Sequence, residues 1–112
     1  MKLVEAVAGD VTVLEAYGRI DSTTSKVFGD RLISLIQTHP RAILVDLENI
    51  AYISSPGFHA LLIAKRAASD RDTKLALCGV TGEVKRLFDM GGFSDEFLIF
   101  ATQADAIGKL RP

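Results

Sequence analysis

Hydrophobic and polar positions alternate irregularly at the start of the chain. Lys2–Ala8 and Val11–Tyr17 are strand-like runs separated by Gly9-Asp10, a hairpin signal in the inverse of its commonest order. Val11, Val13, Ala16 and Ile20 give an imperfect period of two, as in a partly exposed strand, and Gly18–Thr23 reads as a loop with helix-capping residues. The period then lengthens. Phe28, Leu32, Leu35 and Ile36 fall at i, i+4, i+7 and i+8, which predicts a helix from about Thr24 to Gln37, stopped by His39-Pro40. Ala42–Leu47 is aliphatic without alternation, the pattern of a central strand covered on both faces. A helix is expected after Pro56, carrying Phe58, Leu61, Leu62 and Ala64 to Ala68. Lys74–Cys78 is a short buried strand, and Gly82–Met90 a helix with Val84, Leu87 and Phe88 on one stripe and Gly91-Gly92 at its end. Phe97–Phe100 and Ala104–Leu110 complete the pattern as a strand and a helix. Strands alternating with helices imply right-handed crossovers onto a mostly parallel sheet, with the first hairpin adding an antiparallel pair. The expected class is α/β, with four to five strands and about four helices.

Composition narrows the function more than the fold. The 112 residues suit one domain, read as 1–112, and 48% hydrophobic with 24% charged residues excludes a disordered chain. A net charge of −1 with both signs scattered leaves no footprint for nucleic acid or an anionic membrane. The apolar runs are strand-sized and the first residues are not those of a secretory leader. Cys78 is the only cysteine, so no internal disulfide forms, and a cytoplasmic location is expected.

The chemistry concentrates at Ser54-Ser55-Pro56-Gly57. Proline is favoured at the first helical position, which makes Ser55 the expected N-cap, a role worth about 1 kcal/mol. The same hydroxyl stands at a helix mouth, where free N–H groups and the dipole favour a phosphate. Spacing alone favours the cap. Asp21, before Ser22-Thr23-Thr24, reads either as the cap region of the next helix or as a group facing a partner. Asp46 reads as a strand-end turn former, Cys78 as a small core residue, His39 as a solvated loop residue and His59 as exposed on a binding face. The two histidines have no carboxylate or cysteine at metal-ligand spacing, so neither metal nor cofactor is expected. Gly79–Gly82 and Gly91-Gly92 match no nucleotide-binding loop, and Ser55 lacks both an elbow glycine and a histidine base. A binding module is expected, not an enzyme.

Gly18-Arg19-Ile20-Asp21, Val45-Asp46-Leu47, Tyr52–Phe58, Leu77-Cys78-Gly79-Val80 and Glu83–Phe93 occur in that order along the chain. Together they resemble the bacterial anti-sigma-factor antagonists, stand-alone STAS domains, over essentially the whole length. The Val84–Gly92 tract is the most specific piece. The resemblance implies a partner-switching regulator, a monomer or weak dimer. In that family the serine matching Ser55 is phosphorylated by a serine-kinase-type anti-sigma factor, and a serine phosphatase resets it. The unmodified antagonist binds the kinase and frees a sigma factor, whereas the phosphorylated form lets go. The implied partner face comprises Asp21, Ser54, Ser55, Gly57, Phe58 and His59, with Ser54 as second-choice acceptor. Three residues depart from the family pattern. Ser54 stands for an aspartate, Pro56 for a hydroxyl residue and His59 for a glycine. The altered Ser54 and Pro56 sustain an alternative, an accessory STAS subunit of a transporter or other complex that is never phosphorylated.

Overall fold

The strands run edge to edge in the order of the chain. The computed structural model describes residues 1–111 and leaves Pro112 outside. It contains strands β1 (Lys2–Ala8), β2 (Val11–Ile20), β3 (Ala42–Ile53), β4 (Lys74–Cys78) and β5 (Leu98–Phe100). Between and after them lie helices α1 (Ser25–Gln37), α2 (Ser55–Asp70), α3 (Gly82–Gly91) and α4 (Gln103–Leu110). The sheet order is β1-β2-β3-β4-β5, with β1 antiparallel to β2 and every other pair parallel. This is the mixed five-stranded, four-helix α/β fold that the periodicities predict. Among the described residues, no helix is long and apolar enough to cross a membrane.

The absence of alternation in β3 has its cause in two covered faces. Ile43, Val45 and Leu47 point into the larger core with Phe28, Leu32, Leu61, Ala64, Val84 and Phe88 from α1, α2 and α3. Ala42 and Leu44 point the other way, against Ala106 and Leu110 of α4. Four phenylalanines tie α3 to the start of α2. Phe58 meets Phe88 edge-on at 4.8 Å, Phe93 stacks on Phe58 at 4.3 Å, and Phe97 meets Phe88 at 6.1 Å. Phe93 is placed by the end of α3. Gly92 takes a left-handed φ of 72°, and the Phe93 amide donates to the Phe88 carbonyl at 2.9 Å.

Three local expectations are corrected. β2 continues through Gly18 and Arg19 to Ile20, and β3 continues past Leu47 to Ile53, with register shifts in the pairing that absorb the irregular alternation. Pairing of β3 to β4 ends at Asp46–Cys78, so the rest of β3, Leu47–Ile53, is a projection shared with β2. Asp46 therefore lies inside a strand and forms no terminal turn. It is buried, its Oδ1 accepts from the Glu48 amide at 2.9 Å, and its Oδ2 accepts from Gln103 Nε2 at 2.6 Å. Gln103 also donates to Glu15 at 2.6 Å, joining the first turn of α4 to β2 and β3. Gly79 passes so close that a Cβ would lie 2.9 Å from Asp46 Oδ1, and its φ of +69° favours glycine independently.

Candidate functional site

The β2–β3 projection ends where α2 begins. Ile20 pairs with Ile53, and the Ser54 amide then donates to the Ile20 carbonyl at 2.8 Å. Asp21 and Ser55 each lie one residue beyond that bond. Two segments far apart in sequence are thus joined at one sheet end, where loops of α/β folds collect functional groups.

Ser54, not Ser55, caps α2. Its backbone is extended (φ −90°, ψ 173°) and its hydroxyl accepts from the Gly57 amide at 3.3 Å. Pro56 is accordingly the second helical residue. It is tolerated there because no amide of the first turn has a partner within the helix. The shift by one residue releases the Ser55 side chain from capping and leaves it exposed. Pro56 and His59 are exposed as well, whereas Ser54 is half-buried.

Gly57 and Phe58, expected on a partner surface, are buried. A Cβ on Gly57 would lie 2.7 Å from Ile20 Cγ2 and 2.8 Å from Ile53 Cγ1. Helix α2 presses here onto the strand ends, and only glycine allows that approach. Phe58 points into the aromatic cluster. Both residues fix the pose of the helix mouth from below instead of offering surface.

Asp21 organises the turn into α1. Its Oδ1 accepts from the Thr23 amide at 2.9 Å, the Thr23 hydroxyl at 2.7 Å and the Thr24 amide at 3.2 Å. The Asp21 carbonyl accepts from the Ser25 amide at 2.9 Å. Hydrogen bonding from the Thr23 hydroxyl, then from its amide, holds the Asp21 carboxyl below its ordinary value. Its Oδ2 stands 4.0 Å from Arg19 Nε, and the Arg19 guanidinium lies over the Tyr52 ring at 4.5 Å. Asp21 therefore holds the turn that leads to Thr24, the N-cap of α1, through Oδ1 and keeps Oδ2 for Arg19. The Arg19–Tyr52 pair is not legible in the sequence, because it depends on the strand register that sets the two residues opposite each other.

Beside Pro56 a groove of about 320 Å³ runs between α1 and α2, lined among others by Lys26, Asp30, His59 and Ile63. Gly29 permits the close helix approach at its floor, since a Cβ there would stand 3.3 Å from that of Ala60. Cys78 is buried, and its thiol is pushed up to about 12 by burial and by Asp46 and Glu48, which suits a core residue and not a nucleophile. Among the described residues, no group of three or more His, Cys, Asp or Glu is placed to hold a metal ion.

The STAS domain family model matches residues 3–106. The anti-sigma-B factor antagonist of Staphylococcus aureus is 31% identical over 78 residues, covering 70% of this chain and 72% of that protein. An anti-sigma-factor antagonist (STAS) domain protein from Planctomyces limnophilus superposes with a TM-score of 0.86 at 18% identity, over 97% of each chain. The Bacillus cell fate determinant SpoIIAA in its phosphorylated form superposes at 0.74 with 18% identity, over 98% of this chain and 100% of that one. This chain belongs to the STAS domain family, among the anti-sigma factor antagonists.

Proposed function

We propose that this protein is a cytoplasmic partner-switching regulator. Unmodified, it binds a serine-kinase-type anti-sigma factor and so frees a sigma factor. Phosphorylated on Ser55, it releases the kinase, and a serine phosphatase restores the binding form. The observation that carries the reading is the division of labour between the two serines. The Ser54 hydroxyl is half-buried and engaged with Gly57, while the Ser55 hydroxyl is exposed at the helix mouth, beside the loop that Asp21 organises.

The switch is electrostatic. A phosphoserine carries about −1.5 to −2 charge at neutral pH, and that charge must be desolvated if a partner closes over it. A coupling of about 1–3 kcal/mol changes affinity roughly 5–150-fold, enough to exchange partners.

The test is incubation with the cognate anti-sigma kinase and ATP, followed by mapping of the modified peptide. Modification at Ser55, abolished by Ser55→Ala, is expected. Modification confined to Ser54, or none with a kinase that binds the chain, overturns the reading and returns the chain to the accessory-subunit alternative.

A further inference from the structure

The mouth of α2 is poor in backbone donors. The Gly57 amide is taken by the Ser54 hydroxyl, the Phe58 amide donates to the Ser54 carbonyl at 3.0 Å, and Pro56 has no amide hydrogen. Of the first four helical residues, only Ser55 itself retains an amide without a partner among the described residues. A phosphate on Ser55 would meet far less than the usual set of free N–H groups.

His59 lies four residues on in the same helix, and side chains four apart share a face. Both Ser55 and His59 are exposed, and His59 has no hydrogen-bond or ion-pair partner among the described residues. The charged groups lining the groove with it are Lys26 and Asp30 of α1. They satisfy each other, with Lys26 Nζ 2.6 Å from Asp30 Oδ2. His59 is thus the one ionisable group of that groove with no partner among the described residues.

Resting on the reading of Ser55 as the phosphorylated residue, we infer that His59 is the positioning residue for that phosphate. Its imidazolium donates an N–H to a phosphate oxygen one turn back along α2 and replaces the backbone donor that Pro56 removes. Pro56 and His59 then form one compensating pair. A protonated imidazole and a doubly charged phosphate favour each other's ionisation, so the contact couples the two titrations.

The chain has two histidines, and His39 is a built-in control, separated from Ser55 by the length of β3. The full chain is made with phosphoserine incorporated at position 55 during translation, so the measurement does not depend on any kinase. Ring-proton NMR titration of both histidines and phosphorus NMR titration of the phosphate are compared with the unmodified protein. The His59 midpoint is expected to rise by at least about half a pH unit on phosphorylation, with His39 unmoved, and His59→Gln is expected to raise the phosphate midpoint. Equal shifts of the two histidines, or a phosphate titration unchanged by His59→Gln, overturns the inference. A failed kinase assay would overturn the function proposed above and leave this result standing.

Discussion

The Ser54 amide donates to the Ile20 carbonyl at 2.8 Å, which hydrogen-bonds the first turn of α2 to the last residue of β2. The bond sits directly above Gly57, whose absent side chain makes room for Ile20 and Ile53. The position of Ser55 relative to Asp21 is therefore set by backbone geometry and close packing, not by a flexible loop.

Gly57→Ala tests that packing. The added methyl must displace Ile20 and Ile53, and overpacking of this kind costs typically about 1–3 kcal/mol. The urea midpoint is expected to fall with the m-value unchanged. An unshifted midpoint would mean that α2 does not press on the strand ends.

The two serines separate by stability alone. Ser54→Ala removes a cap and is expected to cost about 1 kcal/mol, whereas Ser55→Ala leaves stability within about 0.5 kcal/mol of the starting protein. Equal losses, or a larger loss at Ser55, would reassign the cap.

Phe88 is fully buried and carries edge contacts to both Phe58 and Phe97. Phe88→Ala is expected to cost about 3–5 kcal/mol in chemical denaturation. A loss below about 1 kcal/mol would place the aromatic cluster elsewhere.

How far these features were legible from sequence depends on whether they are local. The first half of β3 and the stripe Val84–Leu87–Phe88 follow from periodicity. The continuation of β3 does not, because Glu48 and Asn49 face solvent on a projection that β4 does not reach, and they interrupt the apolar run. The cap of α2 was misplaced by one residue because Ser-Ser offers two equivalent hydroxyls and proline fits either of the first helical positions. Asp46 looks like a turn residue locally, and only the arrival of Gln103 at its carboxylate accounts for its burial. The juxtaposition of Asp21 with Ser55 spans 34 positions (55 − 21). Its first indication came from the family resemblance and its geometry from the Ile20–Ser54 bond.

Asp21 predicts an acid-dependent contribution. Its carboxyl is held below the ordinary value in the folded state, so its stabilisation is present above the unfolded carboxylate range, near pH 4, and is lost as pH falls through the lower folded value. Asp21→Asn is expected to reduce the acid-side slope of stability below about pH 4. Thermal melts across that range would show it, and superimposable pH profiles would contradict it. Asp89 and Glu83 are also held low, through hydrogen bonds from Ser94 and Arg86, and contribute slope of the same sign.

Asp21 and Ser55 should also couple in partner binding. Asp21→Ala and Ser55→Asp are each expected to weaken the complex with the anti-sigma factor, and their effects should be non-additive by more than about 0.5 kcal/mol in a calorimetric double-mutant cycle. Strict additivity would indicate that the two residues do not share a docking face.

The most direct measurement is the affinity of the anti-sigma factor for the full chain with serine or phosphoserine at position 55, determined by calorimetry at one salt concentration. The account predicts weakening by at least about fivefold on phosphorylation. Ser55→Ala should bind like the unmodified protein, since the hydroxyl is not the main contact. Equal affinity of the phosphorylated and unmodified chains would contradict the switch.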